Sequence, residues 1–365
     1  MKHALSLARK SIGLASPNPN VGCVLVKNDA AVGEGFHEYE RKDHAEIVAL
    51  KQAGDRARGA TAYVTLEPCA HTGRTSPCAD ALIQAAVARV VVATGDPNPK
   101  VNGEGIKRLR NAGIVVDVDV CRAEARELND AFARHIRTGR PFFTLKAALS
   151  LDGRLAPAPG KPAPGREAMP IMLTGEESSF DVHRLRHASD AIITGINTAL
   201  TDNPRLTDRS GLPRRRPLLR VVLDSALRLR LDSQLVRTAK DDLLVFCTTP
   251  TSERQKALEA LGVRVEIVGG SSRGSRVSLS AALERLGQLG MTSALLEAGS
   301  QVNASALGQQ LVDKLVLFYA PLILGAAGVP MVSSIDEWKQ PITRTSIERF
   351  GKDFRIEGYL HDPWA

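Results

Sequence analysis

A chain of 365 residues exceeds the ~250–300 that one hydrophobic core usually serves, so two domains are expected. Five cysteines are too few for a disulfide framework, and neither a membrane-length apolar run nor a secretory leader is visible, so a cytoplasmic location is expected and no membrane partner. The net charge of +8 admits nucleic acid or a phosphorylated small molecule, but 4% aromatic residues offer few stacking platforms for bases.

The chain opens on an amphipathic helix, with Ala4, Leu5, Leu7, Ala8 and Ile12 at helical spacing. "VGCVLVK" and "AVGEGF" then read as paired strands around "NDA". "HAEIVALKQAG" reads as a helix stopped by Gly54, and "TAYVTL" as the next strand. "CADALIQAAVA", "RVVVAT", "GEGIKRLRNAG" and "IVVDVDV" continue the alternation of helix and strand. "RAEARELNDAFARHIRTG" reads as one long helix ending at Gly139. A new series starts at "FFTLKAALS" and runs through "DAIITG", "LLRVVLDS", "DLLVFCT", "VRVEIV", "SALLEAG" and "KLVLFYAPLILG". Both halves are therefore α/β, divided near residue 144 into domains 1–144 and 145–365. The Pro/Gly-rich "RLAPAPGKPAPGREAMP" is placed as a loop of the second domain, and the basic run "RRRPLLR" (Arg214–Arg220) as a solvated loop. Cys23, Cys121 and Cys247 sit in or beside apolar runs and read as structural thiols.

The remaining cysteines, Cys69 and Cys78, bracket "TLEPCAHTGRTSPC" and admit a disulfide, a redox pair or a metal. His44 supplies the third ligand that a catalytic zinc site needs, and one imidazole with two thiolates suits that metal. Glu46, two residues after His44, is off the ligand face and placed to move a proton. His-x-Glu on one helix and Pro-Cys…Cys at the start of another is the zinc-deaminase arrangement, with Glu46 as acid/base.

That pattern usually separates its cysteines by two residues, whereas eight intervene here. The eleven residues Pro68 to Cys78 resemble the Pro-Cys-Ser-His-x-Gly-Lys/Arg-Thr-x-Pro-Cys segment of the bifunctional deaminase–reductase family of riboflavin biosynthesis. "PNPNVGCVLV" and "DPNPKVNGEGIKRLRNAGI" are similar to further segments of that family. The resemblance implies a cytidine-deaminase-like three-layer domain followed by a dihydrofolate-reductase-like domain. It implies zinc-dependent deamination of a pyrimidinone carrying a ribosylamino 5′-phosphate, then NADPH-dependent reduction of the ribosyl chain to a ribityl chain. Its members often assemble, which implies a homo-oligomer.

By the same resemblance Asn18, His71 and Arg74 contact the substrate in the first domain. In the second, Lys146, Arg186, Leu206, Arg209 and Glu297 fall at substrate-binding positions. Ala148, Met172, Thr198, Asp202, Ser225 and the run Gly299, Ser300, Gln301, Val302, Asn303, Ala304, Ser305 fall at NADPH-binding positions. The chain departs from the family at Met172, where an aromatic is usual, at Ala298 in place of the first glycine of Val-Glu-Gly-Gly, and at Asn203, which replaces the Asp of the usual Asp-Pro. Two competing readings are a deaminase with an impaired second domain, suggested by Met172, and an RNA-directed deaminase, suggested by the basic balance.

Overall fold

The computed structural model describes residues 1–70, 77–99, 101–158, 172–269, 276–335 and 341–365. It divides into two compact units, the first of residues 1–139, 213–216 and 363–365, and the second of residues 140–212 and 217–362. The first unit begins with α1 (Lys2–Lys10) and the hairpin β1 (Gly22–Lys27) and β2 (Ala30–Phe36). α2 (Ala45–Ala53), β3 (Thr61–Val64), α3 (Cys78–Gln84) and β4 (Arg89–Val92) follow. α4 (Glu104–Asn111), β5 (Val115–Asp117), α5 (Arg122–Glu127) and α6 (Asp130–Thr138) complete it. Its sheet runs β2-β1-β3-β4-β5, antiparallel around β1 and parallel from β3 onward.

Alternation along β1 sorts the layers, because successive side chains of a strand point to opposite faces. Cys23 and Leu25 join a core with Ala45 and Ala49 of α2 and Leu82 of α3, while Val24 packs with Ala4 and Leu7 of α1. Gly35 lets α2 approach this closely: a Cβ there would lie 2.2 Å from the Ala45 carbonyl oxygen. The helix expected across "RAEARELNDAFARHIRTG" is instead two, α5 and α6. Asn129 sits at the break, where its buried side chain accepts from the Asn20 amide (2.7 Å) and donates to the Asn20 and Ala125 carbonyls (3.1 and 3.2 Å). An Asn side chain competing for backbone groups is a standard reason for a helix to stop.

The second unit contains β6 (Phe142–Ser150), β7 (Arg154–Ala156), α7 (Glu176–Ala188), β8 (Ala191–Gly195), α8 (Ile196–Asp202), β9 (Leu219–Leu223) and α9 (Gln234–Arg237). It continues with β10 (Leu243–Cys247), α10 (Ser252–Glu259), β11 (Arg264–Ile267), α11 (Leu279–Gln288), β12 (Ser293–Leu296), α12 (Ser300–Gly308), β13 (Lys314–Ala320), β14 (Val329–Pro330), β15 (Thr343–Phe350) and β16 (Asp353–Tyr359). Nine strands form one sheet in the order β11-β10-β9-β8-β12-β6-β13-β16-β15. It is parallel as far as β13 and antiparallel beyond. Both faces of its central parallel strands β8, β9, β10 and β12 are buried. Leu244 and Phe246 of β10 face one core with α11 and α12, whereas Leu243, Val245 and Cys247 face another with α8, α9 and α10. This double burial is why its strands read as continuous apolar runs.

The division expected near residue 144 would fall inside β6; the compact units part between Gly139 and Arg140. Gly139 closes α6 in the left-handed conformation at φ 72°, as a helix C-cap favours. The basic run is not a solvated loop. Arg215 lies 4.4 Å over the Tyr39 ring and pairs with Glu40, Arg216 donates to Ser16 Oγ (3.0 Å), and Arg220 is buried against Asp242. No helix among the described residues is long and apolar enough to cross a membrane.

Candidate active sites

Three separate elements deliver the metal-ligating side chains. His44 is the N-cap of α2, Cys69 lies in the loop after β3, and Cys78 begins α3. Their ligand atoms lie within 4.8 Å of one another. His44 Nδ1 is 3.1 Å from Cys78 Sγ and 3.6 Å from Cys69 Sγ, and the Cys78 amide donates to Cys69 Sγ at 3.3 Å. The hydrogen bond from the Cys78 thiol, aided by His44, pulls the Cys69 thiol down to about 4 although burial alone would raise it. A lowered thiol pKa favours the thiolate, the form that binds metal. The donor set fits zinc: two sulfurs and one imidazole, with no fourth protein ligand among the described residues.

Glu46 occupies the first turn of α2 and is buried. Burial pushes its carboxyl up to about 7, against the pull of His44. Asn18 is half-buried beside the ligands and donates from Nδ2 to His37 Nε2 (3.0 Å), while His37 Nδ1 donates to the Asp43 carbonyl (2.9 Å). Both ring nitrogens of His37 are thus engaged, and burial lowers its pKa. The His37 ring meets His44 edge-on at 5.4 Å. Sequence reading passed over His37, because a lone histidine at a strand end carries no pattern. His71 and Arg74 lie outside the described residues.

In the second unit β6, α7 and the segment after β12 bring Lys146, Arg186 and Glu297 together. Arg186 grips the Glu297 carboxylate with both nitrogens of its fork (2.8 and 3.0 Å), and Lys146 Nζ lies 3.6 Å from the same group. Burial alone would raise the Glu297 pKa, but Lys146 and Arg186 overcome it and hold the carboxyl at about 2. Lys146 and Ala148 alternate onto one half-buried face of β6. Leu206 is buried with φ 52°, and Arg209 reaches this neighbourhood through its backbone amide, which donates to His183 Nδ1 (3.2 Å).

Thr198 and Gly299 are neighbours: a Cβ on Gly299 would lie 3.4 Å from Thr198 Oγ1. Gly299 caps α12 without a side-chain bond, and Ser300 Oγ is buried with no hydrogen-bond partner among the described residues. An uncapped helix start beside an orphaned hydroxyl fits the pyrophosphate of a dinucleotide. Val302 packs under Gly195, and the buried Asn303 donates to the Met331 carbonyl (3.1 Å), so both face the protein. Ser225 Oγ accepts from the Val277 amide (3.0 Å). Gln301 and Ser305 are exposed, Ala304 is half-buried, and Asp202 ends α8 exposed. Met172, in the place of the usual aromatic, is 65% exposed.

Both halves of the chain match known families. Residues 1–94 match the "cytidine and deoxycytidylate deaminase zinc-binding region", and residues 141–356 match the "RibD C-terminal domain". The riboflavin biosynthesis protein RibD of Aquifex aeolicus is 41% identical, covering 98% of this chain and 96% of the relative. The chain belongs to the RibD family.

RibD of Escherichia coli is 39% identical over 89% of this chain and 88% of its own length. Acinetobacter baumannii RibD superposes with a TM-score of 0.83 at 37% identity, covering 99% of this chain and 97% of that one. The Thermotoga maritima deaminase/reductase superposes with a TM-score of 0.80 at 31% identity and the same coverages. As a RibD-family protein the chain is a bifunctional riboflavin-biosynthesis enzyme, a zinc-dependent deaminase and an NADPH-dependent reductase acting on pyrimidine small molecules.

Proposed function

We propose that His44, Cys69 and Cys78 hold the zinc and that Glu46 is the acid/base of a hydrolytic deamination whose substrate is 2,5-diamino-6-(5-phosphoribosylamino)pyrimidin-4(3H)-one. The observation that carries this is the meeting of the three ligand atoms within 4.8 Å beside a buried carboxyl. Zinc supplies Lewis acidity that makes water nucleophilic near neutral pH. Glu46 takes the proton of that water and returns it to the leaving amine as ammonia departs. A carboxyl poised near neutrality suits both transfers. Asn18 contacts the pyrimidine, and His71 and Arg74 contact the substrate.

The second unit then binds the deaminated product. NADPH supplies the two reducing electrons, delivered to C1′ of the opened ribosyl chain. Lys146, Arg186, Leu206, Arg209 and Glu297 position that chain, with Glu297 locked in orientation by the Arg186 fork. Ala148, Met172, Thr198, Asp202, Ser225 and the α12 start from Gly299 to Ser305 form the cofactor's berth. The partners are small phosphorylated pyrimidines rather than nucleic acid, and the working form is a homo-oligomer. The nearly all-exposed β15, which ends the nine-stranded sheet among the described residues, supports the latter.

The test is to follow ammonia and NADPH together in zinc-replete protein given the diaminopyrimidinone ribosyl phosphate. Ammonia release followed by NADPH oxidation is expected. Zinc-loaded protein that releases no ammonia overturns the substrate assignment.

A further inference from the structure

The zinc ligand Cys69 hangs from a segment whose anchoring no feature of the catalytic motif explains. Glu67, two residues before it, is a buried carboxylate whose partners are all backbone amides. Its Oε2 accepts from Asp96 (3.2 Å) and Gly103 (2.9 Å), and its Oε1 from Gly105 (2.9 Å) and Ile106 (3.2 Å). Two of these donors belong to the first turn of α4, where the helix dipole favours an anion. The contact is tight. A Cβ on Gly105 would lie 1.9 Å from the Pro68 carbonyl oxygen, and one on Gly95 would meet Asn102 at 2.8 Å and Glu67 at 3.6 Å.

The same helix reaches both cysteine segments from its next turn. Arg108 donates to the Ala70 carbonyl (3.2 Å) and pairs with Asp80 (2.5 Å), so it ties residues just beyond Cys69 and Cys78. The Ala79 amide closes the arrangement on the Cys69 carbonyl (3.1 Å). A thiolate gains affinity for metal when its carbon frame cannot recoil, and the groups behind a ligand typically govern affinity by about 10–100-fold. We infer that Glu67 is a positioning residue of the deaminase: by gripping the Asp96 and Gly103 amides and the start of α4 it fixes Cys69 at the zinc-binding distance from His44 and Cys78.

Glu67→Gln keeps the shape but replaces one acceptor oxygen by an NH2 that faces amide donors. The inference rests on zinc occupying the His44, Cys69 and Cys78 site, so metal binding is read apart from turnover. Zinc affinity is measured on the full chain by competition with a chromogenic chelator, and the visible spectrum of the Co²⁺-substituted protein reports ligand geometry. Glu67→Gln is expected to weaken zinc binding by about 10–100-fold, to alter the cobalt–thiolate bands, and at saturating zinc to lower kcat for ammonia release with little change in KM. Reduction of the already deaminated product should be untouched. Glu67→Asp, which keeps the charge on a shorter arm, should recover part of the affinity, and it serves as the test variant if the glutamine protein does not fold. Wild-type zinc affinity and cobalt spectrum in the variant that folds overturn the inference, even if its melting temperature falls. Failure of the wild-type chain itself to bind zinc overturns the metal assignment together with it.

Discussion

The proposed roles of Glu46, as the group that moves protons, and of His44, Cys69 and Cys78, as the groups that hold metal, separate by substitution. Glu46→Gln is expected to retain stoichiometric zinc and lose about 10²–10⁴-fold in ammonia release, the usual contribution of a general acid/base. Metal analysis beside a turnover assay checks it, and substantial turnover would remove Glu46 from the mechanism. Cys78→Ser is expected to purify without zinc, since a hydroxyl is a poor substitute for thiolate; unchanged metal content would reduce Cys78 to a structural role. Residue type and spacing single out His44, Glu46, Cys69 and Cys78 in the sequence, and the fold brings the ligand atoms of His44, Cys69 and Cys78 within 4.8 Å of one another. Glu67 and His37 stay silent, since Glu67 acts on backbone amides that any residue supplies and His37 gains its meaning only when the fold sets it edge-on to His44.

Elements matter here mainly as carriers that must approach closely. α2 carries both His44 and Glu46 and lies on β2 through Gly35, where a Cβ would come within 2.2 Å of the Ala45 carbonyl oxygen and 2.8 Å of the Ala49 amide. Gly35→Ala is therefore expected to push α2 outward, to cost about 1–3 kcal/mol as other overpacking does, and to weaken zinc binding with it. Chemical denaturation and chelator competition check the two effects, and an unshifted midpoint would mean that α2 accommodates the methyl without moving. Periodicity revealed α2 and the parallel strands, whose apolar character is continuous. It missed the β15–β16 hairpin, because β15 is exposed along nearly its whole length and alternates nothing. It also merged α5 with α6, because the break depends on a contact between Asn129 and Asn20, 109 residues apart.

For the molecule as a whole, the two chemistries should be separable by the agents that remove them. Chelation of zinc is expected to stop ammonia release while the deaminated product still drives NADPH oxidation; loss of both on chelation would show that the metal supports the second unit as well. Acid should act on the second unit through Glu297, whose carboxyl is held at about 2 against an ordinary 4.5. A depressed folded-state pKa contributes stability that is present above about 4.5 and drains away as pH falls toward about 2. Thermal melts across that window should show the loss, and Glu297→Gln should flatten it; equal acid sensitivity in both proteins would place the effect elsewhere. Here the change of pattern suggests two units, but nothing in the pattern signals the return of residues 213–216 and 363–365 to the first.

That return bears on how the protein is made. Trp364 is buried in the core of the first unit, its indole nitrogen donating to Asp130 (2.9 Å) and its ring covered by Arg126 at 4.8 Å. A ribosome releases His44, Cys69 and Cys78 early, yet Trp364 of that core emerges only after all the described strands of the second unit. The half that is synthesised first is thus finished last, and a nascent chain halted at residue 139 carries all three candidate ligands in an incomplete fold.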